Sequence, residues 1–443
     1  MPPTTIIKRN GQAVPFDQEK ITVAIYKAMA AGGAHDRELA EGLSDQVAAA
    51  LDAAYTAEQL PTVEDTQDFV ERVLIQDGHA ETAKRYILYR SERAKMRLQR
   101  RRERAEPIPY KAMWQALDWA VDHGCNTVAG LNEIIREGRL PQLIRAADEL
   151  YERTLEQIAA AILERREELR FIIVAGPSSS GKTTTTNKLA GHLETGGLSV
   201  VPLALDNYFF NLRLHPRDEF GDYDFETPEA LDLELINRHL AEIDAGRAID
   251  MPVYDFKTGN RLDRTTRFEP QPGSIVLLDT LHGLYDGLTA SVPDERKCRL
   301  YIETISQLKT NEGRYMRWTD IRLLRRMIRD ANFRGYEPER TIQHWHYVRR
   351  SELKHIIPHQ SRADFLVNGA LAYELPFLKL HLFHHFPEFI RNWRGDDKRL
   401  DGYVRARRIH DLLASIEDVE DDSAVPATSL LREFVGGSAY DVH

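Results

Sequence analysis

The sequence predicts an α/β chain built on a doubly wound parallel sheet, with a small α+β module in front of it and helices joining and following the two. Three observations predict this. Short apolar runs at 171–174, 198–205, 275–278, 300–302 and 364–367 alternate with longer amphipathic stretches, the pattern of buried parallel strands joined by crossover helices. The first run enters a glycine-rich loop that opens a helix. Ahead of all this, two strand-like segments flank a turn signal and four helical segments follow, enough for a module of its own.

Composition narrows the class. The 443 residues leave room for about three domains. A net charge of -10 argues against a general nucleic-acid binder. Cys125 and Cys298 are the only cysteines, which excludes a disulfide framework and a four-cysteine zinc site. Met1-Pro-Pro-Thr-Thr5 has no apolar leader core, and no apolar run approaches the ~18 residues of a membrane span. The expectation is a cytoplasmic protein with neither nucleic acid nor membrane as partner.

In the front module, Thr5–Arg9 and Gln12–Phe16 read as strands around the Asn10-Gly11 turn. Asp17 is placed to cap a helix that carries Lys20, Ile21, Ile25, Ala28 and Met29. Further helices cover 36–53, start near Val63 and run over 80–96. Residues 97–107 are a charged helix end. Residues 108–168 read as a helical connector whose apolar stripe, Leu143 to Leu163, leads into the first sheet strand; Trp114, Trp119, His123 and Cys125 read as core.

The loop after that strand, Gly176-Pro177-Ser178-Ser179-Ser180-Gly181-Lys182-Thr183-Thr184, has the spacing G-x-x-x-x-G-K-[ST] in a strand–loop–helix setting. Gly176 and Gly181 let the backbone curl, so that the N–H groups along Ser178, Ser179 and Ser180 point at phosphate oxygens. The helix start at Thr184 adds free N–H groups and a positive dipole end. Lys182 can reach the β- and γ-phosphates, and the Thr183 hydroxyl can ligate Mg²⁺. The ligand is therefore a nucleoside triphosphate, ATP, with Mg²⁺. Asp206 and Asp279 each close an apolar run, so both fall at carboxyl ends of strands, where such sheets bind ligands. One can accept a hydroxyl proton and the other can hold the metal; Asp206 is assigned as base and Asp279 to the metal. In 314–350, Arg322, Arg325, Arg326 and Arg329 share one helix face.

The front module resembles an ATP-cone over residues 4–96. The resemblance is carried by Ile7-Lys8-Arg9-Asn10-Gly11, Pro15-Phe16-Asp17, Lys20-Ile21, Gly78-His79 and Ala83–Arg90. It implies a second site, for ATP or dATP, in which Lys8, Arg9 and Lys20 hold phosphates. Cones occur in ribonucleotide reductases and in a bacterial repressor. This chain lacks the cysteines of either, so its cone is expected to serve the P-loop domain.

Residues 170–370 resemble the uridine kinase and phosphoribulokinase family. The motifs are the P-loop, Asp206-Asn207-Tyr208-Phe209, Tyr223-Asp224-Phe225 to Asp232, Met251 to Phe256, and Arg261, in the family's order. The resemblance implies that Asp206 deprotonates a sugar hydroxyl and that Asp224 holds neighbouring ribose hydroxyls. It places Tyr254 beside the base moiety and Arg261 at the acceptor pocket. It makes 314–350 a helical lid closing over ATP, with Arg325 and Arg329 as catalytic arginines and Arg326 behind them. Two positions depart from the pattern. Gly259 stands where pyrimidine-specific members carry a base-reading histidine, and Asp279-Thr280 replaces Glu-Gly. The parts for phosphotransfer are present; the reader of the base is not.

Residues 371–443 are expected as a helical tail, with 429–437 folding back onto the core and His381, His384 and His385 lacking a carboxylate partner for a metal. The chain is thus divided into a cone (4–96), a connector (97–168), a kinase core (169–370) and a tail (371–443). The expected function is ATP-dependent phosphorylation of a nucleoside or similar small sugar-like alcohol by a homo-oligomer regulated at the cone. The alternatives are a sugar-phosphate kinase, for which Arg213 and Arg217 are available, and a nucleotide sensor without catalysis.

Overall fold

A computed structural model describes residues 4–8, 11–55, 59–88, 90, 108–217, 227–255 and 258–442. The chain divides into two compact units, Met1–Ala105 with Phe389–Arg407, and Glu106–Glu388 with Arg408–His443.

In the first unit, β1 (Thr5–Ile7) and β2 (Ala13–Pro15) pair antiparallel, with Thr5 opposite Pro15. Then come α1 (Glu19–Ala30), α2 (Arg37–Ala54), α3 (Val63–Gln76) and α4 (80–88). Their apolar stripes meet in one core of Ile25, Met29, Leu43, Val47, Leu51, Val70 and Leu74. Asp36 caps α2 by accepting from Leu39 N–H, and Thr62 with Asp65 forms a capping box on α3. Asp17, expected as the cap of α1, accepts from the backbone N–H groups of Glu19 and Lys20 at the helix start and also pairs with the Lys20 side chain at 2.9 Å.

The second unit opens with α5 (Tyr110–Asp122), α6 (Val128–Arg136) and α7 (Leu140–Glu164). Its sheet contains β3 (Phe171–Ala175) and, beyond α8 (Lys182–Thr195), β4 (Val200–Ala204). After α9 (Leu233–Asp244) comes an antiparallel hairpin of β5 (Ile249–Asp255) and β6 (Asn260–Phe268). The sheet resumes with β7 (Ile275–Thr280) and β8 (Lys297–Glu303). Helices α10 (Trp318–Phe333) and α11 (Pro338–Ser351) then lead to β9 (Phe365–Asn368). The C-terminal part adds α12 (Glu374–Leu382) and the short α15 (Arg432–Val435) to this unit, while α13 (Phe386–Trp393) and α14 (Leu400–Ala414) carry the two ends of the stretch Phe389–Arg407 that belongs to the first unit.

The sheet is parallel throughout, in the order β4-β7-β3-β8-β9. This is the doubly wound arrangement that the alternating pattern predicts. Every residue of β3 is buried; Ile172, Ile173 and Val174 each contribute roughly 1.5–3 kcal/mol by leaving water. Val174 and Ala204 both lie level with Asp279, so β3, β4 and β7 end together. That edge carries Gly176, Asp206 and Asp279. Cys125 and Cys298 are buried, and burial pushes both thiols up to about 12. Trp114, expected in the core, is 65 % exposed on α5, whereas Trp119 stacks on His123 at 3.9 Å. Among the described residues no helix is long and apolar enough to cross a membrane.

One carboxylate of this framework makes stability depend on pH. Tyr373 donates to Asp148 at 2.7 Å, and Lys188 and Glu152 lie within its field. Burial outweighs the hydrogen bond and the lysine, lifting Asp148 to about 6. A raised carboxylate binds its proton more tightly folded than unfolded, so stability is lost as pH rises between about 4 and 6. Asp148→Asn is expected to remove that slope, a difference on the order of 2 kcal/mol. Denaturation midpoints of both proteins from pH 4 to 8 check it.

Candidate active site

β3 delivers the chain into the phosphate loop. A Cβ on Gly176 would lie 2.5 Å from the Ile302 carbonyl oxygen and 2.9 Å from Ser180 Oγ, so only glycine fits. Gly181 has φ +97°, and Ser179, at φ +60°, is the one non-glycine residue with positive φ among those described. Such backbone is characteristic of ligand clamps. Ser179 Oγ and Ser180 Oγ are buried without a hydrogen-bond partner. Two orphaned hydroxyls inside a curled, glycine-lined loop fit a phosphate, which would supply the missing acceptors.

Beyond the loop, Lys182 Nζ reaches back to the Pro177 carbonyl at 3.5 Å. Thr183 Oγ1 lies 3.4 Å from Asp279 Oδ2. This pair would offer two of the hard oxygen ligands that Mg²⁺ prefers, with phosphate and water completing the shell.

Asp206 sits on the turn Leu205–Tyr208 that follows β4. Its side chain is exposed, yet the protein packed around it raises its pKa; the charges of Lys182 and Arg334 oppose that rise. Asp279 is raised to about 6, first by burial; Lys182 opposes, while Glu433 and Asp206 add repulsion. Lys182, Asp206 and Asp279 therefore share one field at the carboxyl edge of the sheet. A carboxylate held above its ordinary value beside a phosphate cradle is a better proton acceptor than a free one.

The acceptor-side residues are arranged differently from the sequence expectation. Arg261 is committed to protein: Nε donates to Phe209 O at 2.8 Å, and the two terminal nitrogens donate to Asp232 at 2.9 Å and Tyr208 O at 2.6 Å. It clamps the turn that carries Asp206. Tyr254 is buried; its ring lies 5.7 Å from Phe209, and its N–H donates to Asn207 Oδ1. Gly259 has φ +69°, and a Cβ there would meet the Leu212 side chain at 3.0 Å. A histidine here would carry left-handed backbone strain and would require the Leu212 side chain to give way by a few tenths of an ångström. Gly259→Ala is expected to cost about 1–2 kcal/mol from the left-handed backbone alone, read as a shift in denaturation midpoint. Asp224 and Arg9 lie outside the described residues. Lys8 is exposed beside the β1–β2 turn, and the Lys20 side chain is 81 % exposed.

The arginines of α10 divide into two groups. Arg322 and Arg325, expected on a lid face, are fully buried. Arg322 pairs with Glu352 and Glu303, and Arg325 with Glu374 at 2.7 Å. Both also donate to the phosphate loop, Arg322 to Ser178 O at 3.2 Å and Arg325 to Ser180 O at 3.4 Å. They brace the cradle, and each Arg325 nitrogen already donates to protein. Arg326 donates to Ser178 Oγ at 3.0 Å. Arg329 is paired to Asp330, and burial, with repulsion from Arg334, lowers it to about 10. Because Arg334 also acts on Asp206, this end of α10 faces the cleft. Arg334 and Glu433 are the site residues that sequence reasoning missed. Arg334 falls off the stripe that singled out its neighbours, and Glu433 carries no motif.

Residues 4–95 match the model of the ATP cone domain, and residues 171–371 match that of the phosphoribulokinase / uridine kinase family. The uridine kinase of Deinococcus deserti is 33 % identical over 200 residues, 44 % of this chain and 86 % of that enzyme. The uridine kinase of Schizosaccharomyces pombe is 30 % identical over 203 residues, 45 % of this chain and 40 % of that protein's length. Among solved structures, D-glycerate 3-kinase from Cryptococcus neoformans is 14 % identical with a TM-score of 0.33, covering 45 % of this chain and 87 % of that one, too slight a likeness to bear on chemistry.

Proposed function

We propose that this chain, which belongs to the phosphoribulokinase / uridine kinase family, transfers the γ-phosphoryl group of ATP to a hydroxyl of a nucleoside or similar small sugar-like alcohol. The observation that carries the reading is the convergence of Lys182, Asp206 and Asp279 where β3, β4 and β7 end.

ATP seated in the loop would supply the phosphoryl group. Gly176 to Thr184 orient its phosphates, and Lys182 neutralises charge that builds on the γ-oxygens. Thr183 and Asp279 hold Mg²⁺. Asp206 accepts the acceptor's hydroxyl proton as the new P–O bond forms. Arg261, by clamping Tyr208 and Phe209, keeps Asp206 aimed. Arg329 and Arg334 add positive charge at the cleft end of α10, Arg326 supports the loop at Ser178, and Tyr254 and Asp224 belong to the acceptor side. The test is acceptor-dependent ADP release over a panel of nucleosides, pentose phosphates and small polyols. Turnover on at least one, lost in Lys182→Ala, is expected. No turnover on any, with Lys182→Ala indistinguishable from wild type, overturns the reading.

The cone over residues 4–96 is read as a second nucleotide site, taking ATP or dATP and setting activity through the assembly of a homo-oligomer. Equilibrium dialysis is expected to find two ATP per chain, and about one after Lys8→Ala with Arg9→Ala. Two nucleotides still bound, with regulation intact, would remove Lys8 and Arg9 from the site.

A further inference from the structure

The phosphate loop already holds a negative charge, and it comes from the far end of the chain. Thr184 is the third residue of α8. Its N–H is one of the four amides that a helix start leaves without an intrahelical acceptor, and in a P-loop such amides take phosphate. Here Glu433 Oε2 takes it, 2.9 Å from Thr184 N and 2.8 Å from Thr184 Oγ1. Glu433 is 5 % exposed and Thr184 is fully buried. Leu430, three residues earlier, closes on the loop: a Cβ on Gly181 would lie 2.5 Å from its Cδ1. The carboxylate also acts on Asp279, so its charge falls within the field of the metal-binding pair.

A carboxylate and a phosphate cannot share those donors. Two like charges a few ångströms apart in a half-dry cleft repel by several kcal/mol, and only one acceptor can satisfy Thr184. The segment that carries Glu433 is a folded piece rather than a loose end. Arg432 gathers the carbonyls of Asp422 and Val425 at 2.7 and 2.8 Å, and Ser429 Oγ meets Tyr373 Oη at 2.7 Å. Phe434 lies under the Arg325 guanidinium at 5.0 Å. Pro426, Thr428, Ser429 and Leu430 also border a cavity of about 450 Å³ whose lining includes Glu152 and Lys188. The segment therefore has open volume beside it.

We propose that residues 425–437 are a built-in competitor of the nucleotide: Glu433 occupies the phosphate position at Thr184, and ATP seats in the loop only as the segment withdraws. This rests on the reading of Gly176–Thr184 as the ATP site. The apparent affinity for ATP is then the intrinsic one reduced by the fraction of molecules whose segment is withdrawn.

Hydrogen exchange of the full chain, titrated with Mg²⁺ and ATP, tests it peptide by peptide and so separates the loop from the cone. Protection of the first turn of α8 together with faster exchange across 428–437 is expected. In Glu433→Gln and Glu433→Ala, the ATP concentration that half-protects α8 is expected to fall about fivefold or more. Slower exchange of 428–437 along with α8, or unchanged half-protection in both variants, overturns the competitor while leaving the kinase reading intact. No protection of α8 in any of the proteins overturns both. Should the variants unfold, the direction of exchange in the wild type decides alone.

Discussion

Asp206→Asn is expected to lower the rate of acceptor-dependent ADP release by about 10²–10⁴-fold at saturating substrates. Asparagine preserves the volume and the hydrogen-bonding reach of the side chain but cannot take a proton. The clamp around it is unaffected, because Arg261 holds Tyr208, Phe209 and Asp232 rather than Asp206 itself. The half-saturating ATP concentration should change little, since the phosphates are held by the loop and Lys182. The protein packed around Asp206 raises its pKa against the opposition of Lys182 and Arg334. Activity should therefore fall as pH drops through that raised value, where the base becomes protonated. Steady-state rates of both proteins between pH 4 and 9 check the assignment. A rate within a few-fold of wild type would remove Asp206 from proton transfer.

Arg325→Ala is expected to cost roughly 3–5 kcal/mol of folding stability, as large a loss as any single substitution proposed for this chain. Arg325 and Glu374 are both almost wholly buried and lie 2.7 Å apart. Burial tends to protonate Glu374, and the arginine opposes it. Removing the arginine leaves that carboxyl without its cation and frees the Gly369 carbonyl, which now accepts from Arg325 at 2.7 Å. An arginine on a solvated lid would cost less than about 0.5 kcal/mol, so chemical denaturation separates the two roles. An unchanged midpoint would return Arg325 to the lid.

What could be read from the residues alone was mostly local. β3, the glycine loop and α8 are consecutive, and their spacing states their geometry. Asp206 and Asp279 could be placed because each closes an apolar run and parallel strands end at one edge. The arginines of α10 were found but given the wrong surroundings. Helical spacing shows that Arg322 and Arg325 share a face; it does not show that Glu303, Glu352 and Glu374, from three separate elements, will meet them there. The partners of Arg261 could not be read for the same reason, since they are mainly backbone carbonyls, which no side-chain pattern reveals. Glu433 lies 249 residues from Thr184, and nothing around it marks it as a ligand for a helix start. Trp114 shows the converse limit: an aromatic residue at a core-like spacing can still stand in water.

The two cysteines turn the larger unit into its own stopwatch. Both belong to that unit, none lies in the smaller one, and their thiols are sealed from water and held protonated far above neutral pH. An alkylating reagent would thus remain idle until this half of the molecule opens. The pace of labelling would then time that opening, slowed by any nucleotide that tightens the sheet.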